Sequence, residues 1–241
     1  MFCWTDDMIS FMNDAAGFGS YQNALADWIC EALPEARRVC DAGCGLGFLS
    51  VRLAGRFEAV TAADISAQAL SNLRRMAGEQ GISNLDILET DMMRFTPERA
   101  YDAMVFCLFG RMKEILRVAK RCCAGKIVVI KKAYTHHRFS VSSVPLRDEV
   151  TDQAAEFLRA HGVAFELETK MFDMGQPLQD LDGAVRFFET YSKDAPGTVT
   201  REAVLPRLMQ TGDKTFPYYL PQEKSLGRFV IDTRDIPEEF L

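Results

Sequence analysis

Short apolar runs alternate with amphipathic stretches through the first two thirds of the chain. Arg38 to Ala42, Ala59 to Ala63, Leu85 to Glu89, Asp102 to Leu108 and Lys126 to Lys131 are strand-length and rich in apolar residues. Between them, Leu46 to Gly55, Ser66 to Gln80 and Arg111 to Cys122 read as helices, with Ser66 as an N-cap. Val150 to His161 adds another, carrying Val150, Ala154, Phe157 and Leu158 on one face. Ahead of the first strand, Leu25, Trp28, Ile29 and Ala32 recur at helical spacing until Pro34 ends the pattern. Alternation of this kind implies βαβ units and a parallel sheet. Lys126-Ile-Val-Val-Ile is apolar on both faces, as a strand covered by helices on both sides must be.

The texture changes towards the C-terminus. Phe165 to Phe172 reads as a strand, Leu178 to Tyr191 and Ala203 to Gln210 as helices, and Phe216 to Leu220 and Arg228 to Asp232 as short strands broken by Pro217, Pro221 and Gly227. The pattern predicts a doubly wound α/β domain over residues 38–241, preceded by a helical cap or lid over 1–37. Within the domain, 172–215 is expected to be a helical insertion on the substrate side.

Composition narrows the function classes. The 241 residues are 48% hydrophobic and 26% charged, with a net charge of −6. An acidic total disfavours broad contact with nucleic acid or anionic lipid. No apolar run approaches the roughly 18 to 20 residues that span a bilayer. The opening Met-Phe-Cys-Trp-Thr-Asp-Asp is acidic where a secretory leader is basic, so a cytoplasmic protein is expected. Cysteines at 3, 30, 40, 44, 107, 122 and 123 are odd in number and form no CxxC pair. The three histidines have no zinc spacing either, so free thiols and no metal site are expected.

The informative segment is Val39-Cys-Asp-Ala-Gly-Cys-Gly-Leu-Gly-Phe-Leu-Ser50, a strand leading through alternating glycines into a helix. Glycines let the backbone turn sharply and approach a ligand, with N–H groups facing outward at the helix start. Dinucleotides and S-adenosylmethionine both use such a turn. The dinucleotide spacing G-x-G-x-x-G/A puts a small residue at position 48, which is Phe48. Asp41 would also repel a pyrophosphate, whereas it favours a ligand bearing an ammonium group. A nicotinamide-dependent oxidoreductase is therefore the weaker reading.

Asp41-x-Gly43-x-Gly45-x-Gly47 resembles the first motif of the class I S-adenosylmethionine-dependent methyltransferases. Asp64 follows at the end of the second strand, 21 residues beyond Gly43, and Asp91 at the end of the third. The resemblance covers roughly residues 20 to 170. It implies a Rossmann-like sheet of about seven strands, mostly parallel, with a final antiparallel strand. It further implies that Asp41, Gly43, Gly45 and Gly47 hold the methionine end of S-adenosylmethionine. Asp64, with Ile65 beside it, holds the ribose, and Asp91 and Met92 the adenine. Cys107 ends the strand that faces the sulfonium, and Tyr21 belongs to a segment folding over the cofactor. The product is then S-adenosylhomocysteine.

The expected acceptor is an N, O or S atom of a small molecule. No (Asn/Asp/Ser)-Pro-Pro-(Tyr/Phe) follows the fourth strand, Glu114 is a lone acid, and no acidic cluster suited to a divalent cation follows the fifth strand. The polar run Lys131-Lys-Ala-Tyr-Thr-His-His-Arg138 leaves the fifth strand at the edge where α/β sheets bind ligands. Tyr134 and His136 are its candidates for orienting or deprotonating an acceptor. The aromatic residues Phe172, Phe187, Phe188, Tyr191, Phe216, Tyr218 and Tyr219 could line an apolar acceptor site. Methyl transfer needs no fixed catalytic residue, so a module that binds the cofactor without turnover stays open as an alternative.

Overall fold

The computed structural model describes residues 4–240; Cys3 and the rest of 1–3 in the expected lid segment lie outside the described residues. In chain order the elements are α1 (Asp6–Phe18), α2 (Tyr21–Glu31), β1 (Arg38–Ala42), α3 (Phe48–Ala54), β2 (Ala59–Asp64), α4 (Ala67–Glu79), β3 (Leu85–Glu89), β4 (Tyr101–Cys107), α5 (Met112–Cys122) and β5 (Cys123–Lys132). They continue as α6 (Thr151–Ala160), β6 (Glu166–Asp173), β7 (Gln176–Leu178), α7 (Leu181–Tyr191), α8 (Arg201–Val204), β8 (Met209–Gln210), β9 (Tyr218–Leu220) and β10 (Glu223–Asp232). Seven strands form one sheet in the order β3-β2-β1-β4-β5-β10-β6. The first five are parallel, and β10 runs antiparallel to both its neighbours, with Phe229 opposite Val129 and Leu167. This is the mostly parallel sheet with one reversed strand expected from the sequence.

Period-two alternation divides the core between the faces. Met104, Phe106, Ile127 and Val129 pack with Ile115, Leu116 and Val118 of α5 and Ala154 and Leu158 of α6. The intervening Ala103, Val105, Val128 and Ile130 pack with Leu25, Trp28 and Ile29 of α2 and Leu49 and Leu53 of α3. Every one of these side chains is nearly or wholly removed from water. Burying a large aliphatic or aromatic side chain contributes about 1.5–3 kcal/mol, so the central strands hold the sheet edge rigidly.

A third cluster stands apart from the sheet and builds a cap. Phe139, Leu178, Ala184, Phe187, Phe188, Val204 and Leu220 pack between α7 and a three-stranded sheet of order β7-β9-β8. Helix α1 joins this cap rather than the main sheet. Phe11 meets Phe187 edge-on at 5.2 Å, and its carbonyl accepts from Gln176 Nε2 at 2.9 Å. The stretch 172–215 thus mixes strands with the expected helices. Leu178 belongs to β7, and α7 starts only at Leu181, where Asp180 Oδ1 accepts from the Gly183 N–H at 2.6 Å. The helix expected over 203–210 stops at Val204; Pro206 falls in a single 3₁₀ turn over Leu205–Arg207 and β8 follows. Gly227 does not interrupt its strand. It lies inside β10 because Thr151 packs where its Cβ would stand. No helix of the described residues is long and apolar enough to cross a membrane.

Candidate cofactor and acceptor site

The glycine loop sits at the C-terminal end of β1. Gly43, Gly45 and Gly47 take φ of +73°, +55° and +79°, which delays the helix to Phe48. At Gly47 the need is absolute, because a Cβ on this left-handed residue would overlap the buried Leu73 side chain. The loop is pinned to the end of β2. Gly43 N–H and Cys44 N–H donate to the Ala63 carbonyl at 2.8 and 3.0 Å, and Gly45 N–H donates to Asp64 Oδ2 at 2.8 Å. Asp64 Oδ1 accepts from Ser66 N–H at 2.9 Å. One carboxylate therefore shapes both the loop and the start of α4. The Trp4 ring lies over Gly45, 3.3 Å from where a Cβ would stand.

Asp41 is the electrostatic centre of this loop. It is 1% exposed, and its Oδ2 accepts from Ser50 Oγ at 2.6 Å. No cation of the described residues pairs with it. Burial, helped by the nearby Asp64 charge and opposed by the Ser50 hydrogen bond, raises its pKa to about 6. At neutral pH it is an ionised, buried carboxylate without a counter-charge.

A cavity of about 460 Å³ opens from the loop towards the cap. Asp41, Gly43, Gly45 and Gly47 form its floor, and Cys107 and Leu108 at the exit of β4 form one side. Leu108 holds a left-handed backbone (φ 55°) unusual for a residue with a Cβ, and strain of this kind concentrates at functional sites. Helices α1 and α2 contribute Met12, Ala15, Ala16, Tyr21 and Leu25. The segment leaving β5 contributes Tyr134, His137, Arg138 and Phe139, and the cap contributes Met174, Gln176 and Tyr191.

Tyr21 packs edge-on to Phe172 at 5.7 Å, and burial, then the Cys107 sulfur, pushes its phenol well above the usual range. Burial and Asp41 likewise hold the Cys107 thiol far above neutrality. Both groups stay protonated at pH 7, so neither is a base or a nucleophile there.

Of the residues singled out from the sequence, the cavity brings together Asp41, Gly43, Gly45, Gly47, Cys107, Tyr21 and Tyr134, with Phe187, Tyr191 and Tyr219 but not Phe172, Phe188, Phe216 or Tyr218 of the aromatic residues. Asp64, Ile65, Asp91 and Met92 lie along the ends of β2 and β3 and do not line it. Ile65 is 45% exposed, Met92 is buried in the core, and Asp91 Oδ1 accepts from Met93 N–H at 3.0 Å. His136 is exposed, with Nδ1 3.0 Å from Thr135 Oγ1, and points away from the cavity wall that its neighbour His137 joins. In an extended segment adjacent side chains face opposite ways, and the chain sequence contains both histidines without marking which faces in. His137 Nδ1 lies 3.1 Å from Ser140 Oγ. Burial and the cations Lys193, Lys132 and Arg138 lower its pKa, so it is neutral at pH 7. Arg138, the last residue of the polar run, also lines the cavity and was not singled out from the sequence. Among the described residues no cluster of three His, Cys, Asp or Glu side chains is placed to hold a metal ion.

Comparison with known proteins places the central segment. Residues 39–126 match the family model described as a methyltransferase domain. YqeM of Bacillus subtilis (strain 168), provisionally named a methyltransferase, is 37% identical over 82 residues, which are 33% of this chain and 32% of YqeM. The matched region thus spans about a third of that relative's length. Among solved structures, the [4+2]-cyclase SpnF superposes with a TM-score of 0.57 at 18% identity, covering 94% of this chain and 93% of SpnF. The geranyl diphosphate C-methyltransferase of Streptomyces coelicolor A3(2), solved with Mg2+, geranyl diphosphate and S-adenosyl-L-homocysteine, gives 0.52 at 14% identity, covering 87% and 77%. Likeness at that identity speaks for the fold alone. The segment running from β1 into β5 is thus similar to a methyltransferase domain, and the sheet around it has the Rossmann-like fold that the glycine motif implied.

Proposed function

We propose that this protein transfers a methyl group from S-adenosylmethionine to an N, O or S atom of a small molecule, releasing S-adenosylhomocysteine. One observation carries the reading: Asp41 is a buried carboxylate without a cation, on the floor of a cavity beside the glycine loop. An unpaired buried charge is costly to hold, and a ligand ammonium would neutralise it. A pyrophosphate at that place would meet repulsion instead, and Phe48 occupies the position where a dinucleotide site needs a small residue.

The residues fit the cofactor in a consistent order along the sheet edge. Asp41 and the loop of Gly43, Gly45 and Gly47 would hold the methionine end. Asp64 keeps lone pairs beyond its two backbone hydrogen bonds and would accept from ribose hydroxyls, with the exposed Ile65 beside it. Asp91 and Met92 would flank the adenine. When bound, S-adenosylmethionine supplies a methyl group activated on a sulfonium. The chain supplies position and dryness. Tyr21, Leu25 and Met12 wall the cavity against water, and Cys107 offers an uncharged thiol at the exit of β4. Tyr134 would orient the acceptor. Neutral His137, rather than the exposed His136, would take an acceptor proton where one must leave. The described cysteines are all unpaired, which supports a cytoplasmic setting.

Calorimetric titration with S-adenosylmethionine, S-adenosylhomocysteine and NADH tests the reading. Micromolar binding of the first two and none of the third is expected. Binding of NADH alone would reassign the site to an oxidoreductase, and cofactor binding without turnover over a broad acceptor panel would leave a binding module.

A further inference from the structure

The cavity holds a second charge, of opposite sign to Asp41. Arg138 leaves β5 on the cavity wall, its guanidinium 4.2 Å from the Phe139 ring centroid. Its side chain makes one hydrogen bond, from Nη1 to the Met174 carbonyl at 3.2 Å, out of the five N–H donors a guanidinium carries. No carboxylate of the described residues pairs with it. The ionisable groups that face it are the phenols of Tyr134, Tyr21 and Tyr191. Burial holds the Tyr21 and Tyr191 phenols protonated, so they leave its charge in place.

Neither carboxylate of the cavity wall bonds to it. Asp173 accepts from Gly175 N–H, Gln222 N–H and the Tyr219 hydroxyl. Asp41 takes the Ser50 hydroxyl on the loop side. Lys132, the other full cation on the wall, is bonded to Asp148, and His137 is neutral.

We propose that the methyl acceptor is a small apolar carboxylic acid whose carboxylate binds Arg138. This deepens the methyltransferase reading and rests on it. A single uncompensated guanidinium matches a monoanion, and its planar fork matches a carboxylate in bidentate fashion. The surrounding wall of Met12, Ala16, Met174 and Phe187 suits an apolar body. In one cavity Asp41 then answers the ammonium of the cofactor and Arg138 the anion of the acceptor.

The test uses the full chain and three matched probes: 3-phenylpropionate, its neutral amide 3-phenylpropionamide, and phenyl phosphate. Binding is measured by calorimetry with and without saturating S-adenosylhomocysteine, for the wild type, Arg138→Gln and Arg138→Lys. The acid should bind the wild type at least tenfold more tightly than the amide. Arg138→Gln should erase that ratio and Arg138→Lys retain part of it, with S-adenosylhomocysteine affinity unchanged in both. Equal binding of acid and amide, a ratio that survives Arg138→Gln, or no binding of either would overturn the proposal. Tighter binding of phenyl phosphate would overturn the carboxylate assignment in favour of a phosphate. If Arg138→Gln does not fold, an unaltered ratio in Arg138→Lys overturns the bidentate contact. Failure of S-adenosylhomocysteine to bind sinks the cofactor reading by itself, while the cofactor-free acid-to-amide ratio still judges Arg138.

Discussion

Asp41 destabilises the fold that carries it, and the size of that effect follows from its environment. Its pKa moves from the ordinary 3.8 to about 6. A raised folded-state pKa means the native protein holds this proton more tightly than the unfolded chain does. Between about pH 4 and pH 6 the native state therefore binds more protons, and stability falls as pH rises through that window. At about 1.4 kcal/mol per tenfold change in proton affinity, the loss between pH 4 and pH 7 is about 2 to 3 kcal/mol. Asp41→Asn removes the titration while its carbonyl oxygen can still accept from Ser50. Urea denaturation of both proteins at pH 4, 5, 6 and 7 isolates this contribution, because every other titrating group is common to the two. The wild type should lose about 2 to 3 kcal/mol more than the variant across the window. Parallel stability profiles would show that Asp41 is not the strained charge inferred here. The same linkage bears on function: S-adenosylmethionine should bind the wild type less tightly below pH 6, where the carboxylate is protonated. An affinity that ignores this window would separate Asp41 from the ammonium.

Gly47→Ala should cost about 2 to 5 kcal/mol, combining a left-handed residue with a Cβ and overpacking against Leu73; a urea-melt loss under about 1 kcal/mol would refute the steric reading. Asp64→Ala should weaken S-adenosylhomocysteine binding by about 1.5 to 3 kcal/mol, the scale of hydrogen bonds to a charged group, and unchanged calorimetric affinity in a folded variant would remove it from the ribose site. Lys131 Nζ is buried 2.8 Å from Glu149 and also donates to the Gly110 carbonyl at 2.6 Å. Glu149→Gln should therefore destabilise by about 3 kcal/mol, and adding Lys131→Met should recover part of the loss; simple additivity of the two in a double-mutant cycle would contradict a coupled pair.

What the sequence made legible depended on whether a constraint acts locally. The strands β1, β2, β4 and β5 were visible because each is a short apolar run largely buried between the helices, the edge strand β3 by its Leu, Ile and Leu, and their boundaries fall within a few residues of the periodicity. The glycine loop was visible because a left-handed turn beside Leu73 leaves glycine as the residue that fits. The cap was misread where tertiary partners decide. Leu178 has helical spacing to Leu181 and Val185, yet it pairs with Tyr218 in a strand because Asp180 captures the Gly183 amide and starts the helix late. Gly227 looked like a break, and only the packing of Thr151 against it shows why a strand carries a glycine there. The acceptor wall was the least legible part. Choosing His137 over His136 is a question of parity in an irregular segment, and the free charge of Arg138 is defined by carboxylates that bond elsewhere, Asp173 to Tyr219 and Asp148 to Lys132. Arginine stands plainly in the polar run that leaves β5; what gives it meaning is that no carboxylate of the cavity wall bonds to it, and that is a property of the folded neighbourhood.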